Sequence, residues 1–251
     1  MTRRLTKLFI FYLILIGLWQ GLSFLKIWPE YIFPTPIGVI RTLIAGFEDR
    51  TFIIGILVSM KRILIGYGLS IVIGLCLGLL IGRIKTLDET LGTLVLGFQA
   101  LPSICWLPLA LLWFGLSESA MQTVVILGSL FSIIIGTDTG VKNVPPIYIR
   151  AARTMGAKGL YLYTKVIIPA ALPSIIGGFK QGWSFAWRSL MAAELLYVGL
   201  GLGHLLMMGR ELNDMNQVIA VMIVIIVIGV VVDRLIFGKI ENKIRERWGL
   251  V

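Results

Sequence analysis

Apolar residues in this chain come in long runs bounded by Lys, Arg, Asp and Glu, not in the short alternating patterns of a water-soluble sheet. Five runs have the ~20-residue length that crosses a bilayer as a helix. They are 8–25, 63–82, 91–114, 119–137 and 215–237, the last uncharged as far as Val232. Arg62 and Arg83 bound the second. The third contains Pro102 and Pro108, and the pattern predicts a helix kinked or broken there, because proline removes a backbone donor. A sixth candidate, 170–198, is long enough but carries Lys180, Arg188 and Glu194. The chain therefore reads as an all-α polytopic membrane protein of six transmembrane helices, one domain over 1–251. Arg3, Arg4 and Lys7 precede the first run as in a secretory signal, but no small-x-small cleavage site ends it. It is taken as an uncleaved helix.

Two connections are too long to be turns. On the outer side, Thr35 before Pro36 is a good helix start, and Ile37, Ile40, Leu43, Ile44 and Phe47 recur at helical spacing. This predicts a short amphipathic helix, either lying on the membrane face or packed against the spans. On the inner side, 138–169 holds Pro145-Pro146, then a helix expected through Met155, a break at Gly156 and Gly159, and a second short helix ending at Pro169.

Composition narrows the class. The 251 residues are 57% hydrophobic and 14% charged, against about a quarter charged in soluble domains, with mean hydropathy +0.92. That excludes a soluble enzyme, a disordered chain and a coiled coil, and leaves no length for a soluble catalytic domain beside six spans. The net charge of +10 does not point to nucleic acid, since the basic residues sit at the ends of apolar runs. With the amino terminus inside, fifteen Lys and Arg fall on the inner side and six on the outer. Both termini are therefore expected in the cytoplasm. Cys76 and Cys105 lie in apolar runs and read as small buried hydrophobes without a disulfide. His204, the single histidine, falls in a Gly-rich outer segment and reads as a loop residue, so no metal centre is expected. No G-x-x-x-x-G-K-[ST] phosphate loop occurs, so any ATP chemistry needs another chain.

The inner loop carries a motif. Arg150-Ala151-Ala152-Arg153-Thr154-Met155-Gly156-Ala157, followed by Val166-Ile167-Ile168-Pro169, resembles the "EAA" signature of ABC importer permeases in its glycine and proline spacing. It departs at Arg150, where the family has Glu, and at Val166, where it has Ile. Phe33-Pro34-Thr35-Pro36, Leu101-Pro102, the stretch from Leu107-Pro108 to Gly115, Pro169-Ala170-Ala171-Leu172-Pro173, Ala186-Trp187 and Ala192-Ala193-Glu194 are similar to the permeases for nitrate, taurine and alkanesulfonates. The resemblance implies a type I importer fold, a homodimer of permeases in a bacterial or archaeal inner membrane, two ABC ATPase subunits holding ATP and magnesium, and an extracytoplasmic solute-binding protein. It makes Arg150, Ala151, Ala152, Arg153, Thr154, Gly156, Ala157 and Pro169 the ATPase-coupling loop. Ala151 and Ala152 would let the helix approach its partner closely, and Gly156 would permit the turn after it.

Charge inside a span is expensive and usually faces a cavity or a partner charge. Gln181, Ser184 and Arg188 are spaced by three and four, on one helical face, with Lys180 beside them and Glu194 further on. These five are the candidate substrate path, suited to a small anion. The structural alternative pairs Glu194 with an arginine and lets Lys180 reach the inner interface. A secondary transporter or channel for small anions would share the spans and the charge, but would not need the coupling loop.

Overall fold

The computed structural model describes residues 2–197 and 199–247. All regular elements among them are helical: α1 (Thr2–Phe24), α2 (Pro36–Glu48), α3 (Thr51–Arg83), α4 (Lys85–Gln99), α5 (Ser103–Phe114), α6 (Glu118–Lys142), α7 (Pro146–Thr154), α8 (Gly159–Leu196), α9 (Leu202–Glu211) and α10 (Met215–Glu246). Five of these, α1, α3, α6, α8 and α10, are long and apolar enough to cross a membrane. The pair α4 and α5 makes a sixth crossing if counted as one broken span.

Several boundaries differ from the sequence expectation, each for a local reason. Helix α3 has 33 residues, so at 1.5 Å per residue it runs about 50 Å, well beyond a ~30 Å hydrocarbon core. Lys61 and Arg62 lie within it instead of in the loop before it. Helices α4 and α5 meet at 102°. The break is at Pro102, which opens the next turn, its carbonyl accepting from Cys105 N at 2.9 Å. Pro108 breaks nothing, because it stands in the first turn of the α-helical stretch Leu107–Phe114, where no hydrogen bond is lost. Helix α6 continues to Lys142, closed by an i,i+4 ion pair of Lys142 with Asp138 at 2.7 Å. The inner loop is shorter by that turn.

The expected stop at Pro169 is absent. Helix α8 is continuous through it, with one widened π turn over Tyr163–Ile167 just ahead. Such a turn moves the preceding carbonyls away from the proline ring, which a regular α-turn would not. The expected end of this span, Val198, lies outside the described residues. His204 is on helix α9, half-buried, not in a loop. Cys76 and Cys105 are free and exposed, not buried, since both face outward from apolar helices whose outer surface is itself apolar.

The chain divides into two compact units, one of residues 1–59 with 194–227 and the other of 60–193 with 228–251. In the first, α1 has no buried residue from Thr6 to Phe24, as befits an apolar helix in lipid. It is tied down by Trp19 Nε1 and Ser23 Oγ, which donate to the carbonyl of Pro34 at 2.9 and 3.3 Å. Thr35 caps α2 as expected, accepting from Gly38 N at 3.0 Å. The α2 residues Ile37, Ile40, Ile44 and Phe47 are exposed, and the helix packs instead through Val39 and Gly46. An uncovered apolar face suits a membrane surface better than a seat against the spans. Asp49 holds the start of α3, accepting from Thr51 N at 2.8 Å, and that bond keeps its carboxyl below the usual range.

In the second unit α6 is the central helix, with well over half of its span buried. Its Gly136 meets Gly178 of α8 so closely that a Cβ there would lie 2.5 Å from the Gly178 Cα. Backbones approach this way where small residues face each other in a membrane. Ser129 of α6 bonds Ser70 of α3 at 2.8 Å, both hydroxyls fully enclosed.

Candidate functional site

The inner loop is built by its caps. Pro145-Pro146 opens α7, with Tyr148 N donating to Pro145 O at 3.0 Å. At its other end Gly156 takes φ +87, Ala157 N reaches back to Ala152 O at 2.9 Å, and Gly156 N reaches Arg153 O at 3.0 Å. This is the paired closure of a Schellman motif, and it explains the alanine and glycine spacing of the signature. The apolar contact that accompanies such a cap is Ala152 with Ala157, both buried in a cluster with Val141, Val144, Leu162, Ile167 and Ile175. So the two alanines differ: Ala151 is exposed and can face a partner, whereas Ala152 anchors α7 to its own protein. Arg150, Arg153, Thr154 and Gly156 are exposed, and Pro169 is half-buried inside α8. Between Asn143 and Pro169 there are four basic residues and no acidic one. The loop is a capped, basic turn of helix whose charged residues are exposed.

The charged helix separates the residues that its sequence grouped. Lys180 Nζ lies 3.6 Å from Asp233 Oδ1 and 3.6 Å from Glu241 Oε2 of α10, so it is shared between two carboxylates. Gln181 is exposed and lines a cavity of about 360 Å³ with Gln99, Ser132, Thr139 and Ser174. Ser184 and Arg188 share a second cavity with Trp183, Trp187 and Asp233. Arg188 also lines a third, at the break between α4 and α5. Its Nε donates to Ser184 O at 3.2 Å, and its guanidinium lies 5.3 Å from the centre of the Phe185 ring. No carboxylate among the described residues is within ion-pair distance of it.

Glu194 belongs elsewhere. It is fully buried in the first unit, where both its oxygens accept from Ser59 Oγ at 2.8–2.9 Å and one accepts from Gly203 N at 2.9 Å. Ser59 Oγ in turn accepts from Leu202 N at 2.9 Å. The carboxylate thus sits at the amino end of α9, where unpaired backbone donors and the helix dipole favour it.

Sequence reasoning missed Gln99, Ser103 and Ser132, and the rings of Phe98, Trp106 and Phe131, which line the cavities beside the broken span. Pro102 was the available signal, since a helix broken at membrane depth is tolerated where it lines a cavity. It also missed Arg62, buried in α3 and bonded through Nε to Glu118 Oε2 at 2.9 Å. Among the described residues no three His, Cys, Asp or Glu converge to hold a metal.

Known proteins place this geometry. A putative ABC transporter permease of Methanocaldococcus jannaschii is 40% identical over 81% of this chain and 78% of its own length. The putative aliphatic sulfonates transport permease SsuC of Bacillus subtilis is 29% identical over 92% of this chain and 83% of its own. The taurine transport system permease TauC of Escherichia coli is 28% identical over 88% and 82%. In structure the chain is similar to the inward-facing MetNI methionine ABC transporter, with TM-score 0.66 and 18% identity over 77% of this chain and 96% of that one. Residues 70–245 match the family model of binding-protein-dependent transport system inner membrane components. The chain belongs to that family, as the multi-pass, non-enzymatic permease component of an ABC importer whose ATPase is a separate chain.

Proposed function

We propose that this permease forms the path for a small anionic solute, such as a sulfonate, taurine or nitrate, delivered by an extracytoplasmic solute-binding protein. It works as one domain over 1–251, paired with a second copy in a homodimer on two ABC ATPase subunits that hold ATP and magnesium. Both termini face the cytoplasm of a bacterial or archaeal cell.

The observation that carries the solute class is Arg188. A cation in a spanning helix with no carboxylate partner, opening onto two cavities, is a standing site for an anion. The names of the sulfonate and taurine relatives support the same class. The coupling role rests on α7. Its Schellman closure and buried Ala152 make it stiff enough to pass ATPase movement to α6 and α8, which flank it in sequence. Its basic surface fits an acidic groove. Arg150, in place of the family's Glu, adds to that charge.

The test is reconstitution of the whole importer in proteoliposomes. Arg188→Gln is expected to lower uptake about tenfold or more with normal assembly. Unchanged uptake and unchanged solute-stimulated ATP hydrolysis would remove the path role. For coupling, a cysteine at exposed Thr154 should crosslink to the ATPase, while one at Ala152 should not; the reverse result defeats this reading of the loop.

A further inference from the structure

We infer that the cavity at the break between α4 and α5 is an intramembrane station selective for an organic anion over an inorganic one. This rests on the anion-importer reading above and goes beyond it to the substrate class.

The cavity holds about 230 Å³, below the ~300–1,000 Å³ of ordinary ligand pockets, which suits a small solute. Its walls are unevenly divided. Phe98, Trp106 and Phe131 form a three-ring wall, with centroids 5.4, 5.6 and 6.1 Å apart. Phe185 adds a fourth ring, over which the Arg188 guanidinium lies. The polar side chains are Arg188, Ser103 and Gln99, and the Gln99 amide gives one of its two N–H groups to Ser132 at 3.1 Å.

An inorganic anion such as nitrate needs donors around all its oxygens, and the faces of aromatic rings are electron-rich. Most of this wall would therefore repel it. An organic anion can place its charged end on Arg188 and Ser103 and its carbon skeleton against the rings, gaining burial as well as charge pairing. The neighbouring cavity at Gln181 shares Gln99 but is lined by hydroxyls, amides and glycines with no aromatic ring or cation, and has no such preference.

The test is calorimetry on the intact permease–ATPase complex in lipid nanodiscs, with the binding protein left out so that its selectivity does not enter. The probes are benzenesulfonate, methanesulfonate and nitrate. Benzenesulfonate is expected to bind about tenfold or more tighter than nitrate, with methanesulfonate between. Trp106→Leu should cut benzenesulfonate binding about tenfold and leave nitrate no weaker, whereas Arg188→Gln should weaken all three. Phe98→Leu, in the same wall, repeats the test if Trp106→Leu fails to assemble. Equal binding of nitrate and benzenesulfonate, no binding of either, or indifference of benzenesulfonate to both ring variants overturns the inference. If the full importer with its binding protein still accumulates sulfonates in that case, the anion-importer reading stands. If the full importer accumulates no anion at all, both readings fall.

Discussion

Glu194 and Arg188 are six residues apart on one helix, both charged, both inside an apolar stretch. From the sequence they belong to one polar stripe. In the folded chain they are opposites. Glu194 has no exposed surface and accepts hydrogen bonds on both oxygens, from Ser59 and from the start of α9. Arg188 is exposed, rests on a phenyl ring and, although Asp233 lines one of its cavities, has no carboxylate among the described residues within ion-pair distance. Charge in a span is costly in either case, but the cost is met differently. At Glu194 the protein itself supplies the donors, so the residue organises structure. At Arg188 the protein leaves the compensation open, and an arriving anion can provide it.

Alanine at each position gives the sharpest break of this contrast. Glu194→Ala orphans the Ser59 hydroxyl and the Gly203 amide, at about 1–3 kcal/mol for each buried group left unpaired. Thermal unfolding of the detergent-solubilised protein should show a large loss, and yield in membranes should fall with it. Arg188→Ala should move stability by no more than about 0.5 kcal/mol, since its contacts with Ser184 O and the Phe185 ring lie within its own helix and are open to the surroundings. If the two variants lose equal stability, the division between a structural and a functional charge is wrong.

Ser59→Ala tests the same site from the other side. Ser59 Oγ both donates to Glu194 and accepts from Leu202 N, so its loss should cost about 1–2 kcal/mol, less than Glu194→Ala. The double variant should cost less than the two single losses added, because the two residues share one network. Strict additivity in the unfolding midpoints would mean that they act separately.

Which parts of this were legible beforehand follows from what a one-dimensional pattern can carry. Hydropathy set the spans, because the bilayer demands length and apolarity from each segment by itself. The Thr35 cap, the Pro146 start and the Gly156 stop were legible because helix ends are local chemistry. The partners of charges were not. Ser59 lies 135 residues from Glu194, and Asp233 lies 53 from Lys180, so nothing local tells a satisfied carboxylate from a free guanidinium. Helix continuity through Pro169 was also hidden, since it depends on a π turn that no residue type announces. Ala152 shows the same limit at small scale. Beside Ala151 in sequence, it points the other way in the fold.

Lys180 lies between the two extremes. Its ammonium is partly exposed and 3.6 Å from each of two carboxylates, longer than a tight hydrogen bond. Lys180→Met keeps the stem and removes the charge, leaving Asp233 and Glu241 to face water. The expected loss is below about 1 kcal/mol, and smaller still in high salt. A loss as large as that of Glu194→Ala would show that Lys180 too is fixed structure.

The smallest effect belongs to a second carboxylate at a helix start. Asp49 does for α3 what Glu194 does for α9, accepting a backbone N–H, but it does so in full contact with solvent. The bond from Thr51 N is the largest influence holding its carboxyl below the ordinary value of 3.8. A carboxyl whose folded pKa is lowered adds stability that is fully present above its unfolded pKa and lost as pH falls through the folded one. The difference in unfolding temperature between the protein and Asp49→Ala should therefore be small and constant at neutral pH. It should begin to close as pH drops past about 4 and vanish below the lowered folded pKa. Asp49→Asn, which keeps an acceptor without the titration, should show no such closing. A gap that widens on acidification would mean that the Asp49 charge opposes the fold at this position, and that burial is not what separates the two carboxylates.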